Sequence, residues 1–387
     1  MPENGVALDL EWSLLLAACS VELSAVPSAE KTNRIRSLLR GPIRWNVLFQ
    51  LADRHGVEPA LYLVLKNFSD AIPADEMRML AQSYQTNLHK TLLLSRELIR
   101  ILDCISAIGA DVLAYKGIAL AEVHYGDIAL RQSGDIDLLI RPQDLPRIRN
   151  AVAELGYTPH EVFDPLLERE YLKSGYECAF DGTAGRNLLE LQWAIQPRFY
   201  AIDFDMEGIF TRAVTVSVAG RSMRTPSPED LVLVLSAHAA KHVWARLVWL
   251  CDIAQLMKLP LLNWNWIWAE ARRLGIVRIL RITLLAANQL LGAGIPASCF
   301  SDDAASRLAV EIQVQIASET AYNVESLSYF RLMMNLREKP ADRLRFLNRL
   351  VLNPGPGEWQ AVRLPQLLFP LYRLVRLARL AARLARA

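Results

Sequence analysis

The residues best able to do chemistry lie between positions 116 and 140. They are Lys116-Gly117, Arg131, and the run Asp135-Ile-Asp137-Leu-Leu-Ile140. Residues 136–140 have the branched, apolar character of a buried strand, and alternation along a strand directs Asp135 and Asp137 to the same face. Two carboxylates side by side at the end of a buried strand repel each other. A divalent cation removes that repulsion, and oxygen donors of this kind suit Mg²⁺ or Mn²⁺. Gly117, at a turn from strand to helix, would let phosphate approach backbone N–H groups. Lys116 and Arg131 would add positive charge for a polyphosphate. An isolated D-x-D is commonly a solvated pair. The Lys-Gly turn and Arg131 at this spacing turn the reading toward a metal–phosphate site.

The elements that must position these residues can be read around them. A strand over 111–115 runs into a helix over 117–125, then a strand over 135–141 and a helix over 143–155, with Pro142 suiting its start and Gly156 its end. Glu177–Phe180 and Leu188–Trp193 read as two further strands joined by the turn-rich loop 181–186. Glu190 would then sit beside Asp135 and Asp137 as a third acid, with Leu189 and Leu191 facing the core. The order predicts an α+β fold: a small mixed sheet with helices packed on one side, at residues 106–215. Helical periodicity marks residues 1–105 before it and 216–350 after it. In the first region, His55 before Gly56 reads as a structural residue at a helix end. In the second, Ser227 reads as an N-cap. There, His238, His242 and Arg246 recur at four-residue spacing, with Lys241 beside them. This is either a polar stripe facing nucleotide or acceptor, or a hydrogen-bond set with Asp252 holding one of its members. Trp244, Trp249, Trp264, Trp266 and Trp268 read as packing residues rather than base-stacking platforms.

These motifs resemble the signature of the uncharacterised bacterial nucleotidyltransferase family within the DNA polymerase β-like superfamily. The resemblance rests on Lys116-Gly117, Tyr125, Arg131 and Asp135-Ile-Asp137. It extends to Leu188-Leu-Glu190-Leu-Gln-Trp193, Trp45-(9)-His55-Gly-Val57, the stretch from His238 to Asp252, and Pro365-(6)-Tyr372. The chain departs from the pattern at Gln192, where His is common, and at Lys116-Gly117, where the superfamily is better known for Gly-Ser. The resemblance implies a nucleotidyltransferase core flanked by helical regions. It implies metal-dependent transfer of a nucleoside monophosphate from a nucleoside triphosphate to a hydroxyl acceptor (protein, RNA or small molecule), with release of pyrophosphate. Asp135 and Asp137 would hold one metal against the triphosphate, Glu190 with the aspartates a second, and Lys116, Gly117 and Arg131 the phosphates. The competing readings are a non-catalytic nucleotide-binding adaptor and an RNA-directed, toxin-like transferase. No Walker-type glycine loop or kinase loop is present.

Composition sets wider bounds. The chain is 387 residues long and 52% hydrophobic, enough for two or three packed units, and its formal net charge of +2 gives no global basis for nucleic-acid binding. Five scattered cysteines without a C-x-x-C pair argue for a reducing, cytoplasmic setting rather than zinc or a disulfide framework. Leu16-Ala-Ala-Cys19 is not read as a lipoprotein cleavage site, because the residues before it are acidic rather than basic. Asn353-Pro-Gly-Pro-Gly357 reads as a linker, and residues 351–387 as linker plus tail. In that tail Leu371, Leu374, Leu377, Leu380 and Leu384 form one helical face. Arg373, Arg376, Arg379, Arg383 and Arg386 form another. Such a helix suits an anionic membrane surface, RNA, a partner protein, or simple docking onto the body with the arginines outward.

Overall fold

The computed structural model describes residues 10–23, 27–161, 165–185, 187–318 and 326–384. A five-stranded mixed sheet stands at its centre. Its strands are β1 (Val112–Ala114), β2 (Asp135–Ile140), β3 (Thr158–Pro159), β4 (Glu177–Asp181) and β5 (Leu188–Gln192), in the order β1-β2-β5-β4-β3. β2 and β5 run parallel, with Asp137 opposite Glu190, and the other pairings are antiparallel. The α+β architecture, with its small mixed sheet and helical flanks, is the one expected from the sequence.

Strand alternation divides the side chains between two cores. Ile136, Leu138 and Ile140 of β2 join Leu189 and Leu191 of β5 on one face. There they pack against Leu98 and Ile105 of the long helix Ala74–Ala107 and Ile148 of the helix Leu145–Glu154. The opposite face carries the acids at one end, and at the other end sends Leu139 of β2 into a second core. Helices therefore lie against both faces of the sheet, not one. The second core draws together Leu14, Leu48 and Leu61 from the N-terminal helices with Leu250, Leu280 and Phe346 from beyond the sheet. The N- and C-terminal helical regions thus share one hydrophobic interior, which a reading of each by itself does not reveal.

A hairpin, β6 (Val214–Val218) and β7 (Arg221–Thr225), adds Val218 and Met223 to the sheet-side core. It turns through Ala219 and Gly220, with φ of 49° and 75°, the pair of positive values that matches strand twist in a two-residue connection. The alternation Val214-Thr-Val-Ser-Val218 carried its signal, although the sequence reading left it out.

His55 ties the two helical regions together. The helix Trp45–His55 ends at Gly56 in the left-handed conformation, as expected. The buried His55 Nδ1 accepts a hydrogen bond from the Leu247 N–H at 3.2 Å, satisfying a free donor at the start of the helix Leu247–Leu256. Burial, and then the charges of Arg54 and Arg246, depress the imidazole to about 3. The native state therefore refuses a proton that the unfolded chain takes up below about 6.5, the ordinary histidine value. The stability His55 supports is complete above that pH and is lost as pH falls from 6.5 toward 3. His55→Asn, which keeps an acceptor near the Nδ1 position, should flatten the acid limb of a stability–pH curve by roughly 1.4 kcal/mol per pH unit. Denaturant titrations between those limits measure the slope, and an unchanged slope would remove His55 from the account.

Among the described residues, no helix is long and apolar enough to cross a membrane.

Candidate functional site

The carboxylates of Asp135, Asp137 and Glu190 converge because β2 and β5 are parallel neighbours in register. One oxygen from each lies within 4.8 Å of the others, close enough to share a cation. Asp137 is buried, while Asp135 and Glu190 are half-buried. This all-oxygen donor set fits Mg²⁺ or Mn²⁺ better than a softer metal. Its electrostatics favour a cation as well. Burial and the neighbouring Asp137 raise the Asp135 carboxyl above the usual range. Burial, Asp137 and Glu177 push Glu190 up to about 8.

Two side chains hold the acids together as the structure stands. Lys116 Nζ lies 3.1 Å from Asp137 Oδ1 and 4.7 Å from the centre of the Tyr115 ring. Burial by itself would lower this lysine, but Asp137 lifts it above its ordinary value, so it is fully charged. Gln192 Nε2 donates toward Asp137 at 3.2 Å, Glu190 at 2.7 Å and Glu177 at 3.2 Å, while its Oε1 accepts from the Tyr115 hydroxyl. Gln192 is thus the polar hub of the acidic cluster.

Glu177 is a site residue that the sequence reading missed. It stands opposite Gln192 on β4, on the same face as Glu190, and burial raises its carboxyl. Its position at the start of a strand showed in the sequence, but its neighbours depend on the β4–β5 register.

These groups line a cavity of about 420 Å³ that also takes in His238, Lys241, His242 and Arg246. His238, His242 and Arg246 were expected on one continuous helical face with Lys241 beside it, and that is corrected. The helix Pro228–Lys241 stops at its cap, His242. Val243 and Trp244 then take positive φ values of 54° and 50°, and Arg246 precedes the next helix. The buried Trp244 indole donates to Thr283 Oγ1 at 2.9 Å, anchoring this turn. Arg246 reaches the cavity by the turn, and its Nε donates to the Arg54 carbonyl at 3.0 Å. Lys241 Nζ donates to the Tyr176 hydroxyl at 3.0 Å, and burial lowers its basicity. His238 and His242 stand 4.8 Å apart by ring centres, each against Trp249. Trp249 thus belongs to the cavity wall rather than to packing alone. Burial keeps both imidazoles neutral, His242 at about 3 and His238 well below its ordinary value.

Two residues expected at the phosphates are already engaged within the fold. Arg131 lines the cavity, but its charge is paired. Its guanidinium makes a two-pronged pair with Asp252, at 2.8 and 2.9 Å, and donates to Ser133 Oγ at 3.2 Å. Asp252 also accepts from the Tyr125 hydroxyl at 2.6 Å, so its hydrogen bonds hold Arg131 and Tyr125 rather than His238 or His242. Gly117 lies behind the cavity surface, not on it. It adopts φ +54°, and a Cβ there would stand 3.3 Å from the Asp135 carbonyl oxygen. Its role in the structure is a tight turn against β2, and the glycine that lines the cavity is Gly134.

A family model described as uncharacterised nucleotidyltransferase matches residues 41–292, well over half of the chain and every residue placed in this cavity. No curated protein matches the chain. Among solved structures, an antigenic nucleotidyltransferase-like protein from Paracoccidioides brasiliensis is similar at 15% identity with a TM-score of 0.34, over 55% of this chain and 97% of that one. A likeness that loose carries no weight for the site. The family match is extensive and encloses the acidic cluster, Lys116 and the cavity around them, and on it the chain belongs to the uncharacterised nucleotidyltransferase family.

Proposed function

We propose that the protein transfers a nucleoside monophosphate from a nucleoside triphosphate to a hydroxyl acceptor, releasing pyrophosphate, in the manner of the DNA polymerase β-like superfamily. The observation that carries this reading is the convergence of three carboxylates from two parallel strands beside a charged lysine, in a cavity of ligand size. Asp135, Asp137 and Glu190 would hold Mg²⁺ or Mn²⁺, which when bound supplies Lewis-acid neutralisation of phosphate oxygens.

The chain's own residues do the rest. The acceptor oxygen forms a bond to the α-phosphorus as the bond to pyrophosphate breaks. Lys116, once Asp137 is otherwise neutralised, turns its Nζ to the oxygens of the leaving group, where charge grows. Lys241 and Arg246 add positive charge on the far wall. Glu177 stands outside the metal-holding set with a carboxyl raised by burial, and it takes the proton leaving the acceptor before passing it to solvent. Neutral His238 and His242, with Trp249, offer an aromatic, weakly polar wall to the base.

Lys116 provides a test with opposite signs. Lys116→Met should tighten Mg²⁺ binding in the absence of nucleotide by about tenfold, because it removes a competing positive charge from Asp137. The same change should weaken triphosphate binding by about tenfold or more, while nucleoside binding stays level. Calorimetry with metal alone, triphosphate and nucleoside separates these. Losses of equal size for all three would mean a folding defect.

The reaction itself is tested by incubating the protein with each nucleoside triphosphate, labelled at the α- or the γ-phosphate, with Mg²⁺ or Mn²⁺ and cell extract. The labelled species is then identified. Label carried over from the α- but not the γ-position is the expected result. Transfer from the γ-position, or no transfer from any nucleotide, overturns the proposal.

A further inference from the structure

The tail helix is turned the opposite way from a helix docked by its leucines. Residues Tyr372–Leu384 form the helix, preceded by a 3₁₀ turn over Gln366–Leu371. Its inward face is Tyr372, Arg376 and Arg379. Tyr372 is buried, and its hydroxyl accepts from the Leu364 N–H at 3.1 Å. Arg376 donates to the Leu350 carbonyl, and Arg376 and Arg379 each approach the buried Glu358 carboxylate at 3.2 Å. Outward, the helix exposes Leu374 (60%) and Leu377 (42%), and the 3₁₀ turn before it exposes Leu367 (93%) and Leu371 (42%). Of the arrangements the sequence allowed, leucines docked with arginines outward is therefore not the one found: Arg376 and Arg379 turn inward, and Arg373 stays exposed. Leu380 is half-buried; the side chains of Arg383 and Leu384, and all of Arg386, lie outside the described residues.

We propose that this outward leucine face docks on an anionic lipid surface, with the helix lying in the plane of the interface. The charge argues for that occupant. From Val362 onward the sequence has six arginines and no Asp or Glu. Within the described fold Glu358 is the carboxylate facing Arg376 and Arg379, and Arg363 and Arg373 are exposed on either side of the first leucines. A second copy of the chain placed face to face would bring a like positive surplus against this one. Anionic headgroups instead neutralise it while the leucines enter the acyl boundary. A 13-residue helix is roughly 20 Å long, too short to span a bilayer but suited to lie in one leaflet. The inference stands on the tail geometry and is independent of the transfer reaction.

The test uses the full chain, with sedimentation on vesicles of phosphatidylcholine alone or mixed with phosphatidylglycerol, at low and high salt. Binding should be at least ~10-fold stronger on the mixed vesicles and should weaken with salt. Leu374→Glu/Leu377→Glu should reduce binding by roughly 100-fold or more, because two leucines no longer enter the apolar layer. The melting temperature should hold, since both side chains are exposed in the folded chain. Equal binding to both vesicle types, or no effect of the double variant, overturns the proposal. So does a dimer that the double variant dissociates, which would give the face to a second copy. RNA binding lost in the variant, without vesicle binding, would give it to nucleic acid and overturn the proposal equally.

Discussion

Asp137→Asn is expected to lower nucleotidyl transfer by ~10³-fold or more, because it removes the buried charge at the centre of the acidic cluster. Asp135→Asn should reduce activity comparably, yet the two should differ in stability. Asp137 is the partner of the nearly buried Lys116, so its loss leaves a cation short of a counter-charge and should destabilise the metal-free protein by about 1–3 kcal/mol. At Asp135, burial and repulsion by Asp137 outweigh the attraction of Lys116, so its neutralisation should leave stability unchanged or slightly raised. The two aspartates look equivalent in sequence, and denaturant titrations of both variants without metal check the split. Full turnover in either purified variant would defeat the site assignment. Equal stability changes would defeat the pairing of Lys116 with Asp137.

The second large effect concerns Arg131 and Asp252. Their side chains are almost wholly buried, and the carboxylate has no solvent to turn to when its partner is removed. Arg131→Met or Asp252→Asn should cost about 3–5 kcal/mol, the usual penalty for breaking a buried pair by removing one member. Replacing both, as in Arg131→Met/Asp252→Leu, should recover much of that loss, since an apolar pair leaves no orphaned charge. The single variants should lose affinity for triphosphate and for nucleoside together, because Arg131 acts through Ser133 and the loop before Asp135. Binding measured below the melting transition distinguishes this from a direct phosphate grip. A folded Arg131→Met protein that loses triphosphate but not nucleoside would return Arg131 to the phosphates.

How far the sequence reached can be judged from these residues. Asp135 and Asp137 share a face because side chains alternate along any strand, and Glu190 opposes Leu189 and Leu191 for the same reason. The left-handed cap at Gly56 and the Ser227 N-cap, which accepts from the Asp230 N–H, were legible because capping is settled within one turn of chain. These are local properties, determined by backbone geometry and the side chains next to it. Which strands become neighbours is not local. The β2–β5 register that sets Asp137 beside Glu190, and the β4–β5 register that brings in Glu177, follow from which apolar faces bury together. The Arg131–Asp252 pair links positions 121 residues apart, so two charges that read as separate signals become one buried unit. The turn at Val243 and Trp244 breaks a plausible helical stripe because burying the Trp244 indole on Thr283 holds the backbone in a conformation that propensity disfavours. The tail shows the limit most plainly. Its sequence defines a leucine face and an arginine face, but Glu358 and the packing of Tyr372 turn Arg376 and Arg379 inward. A helix's periodicity is written in its own residues, whereas the direction each face points is settled by the partners the rest of the chain supplies.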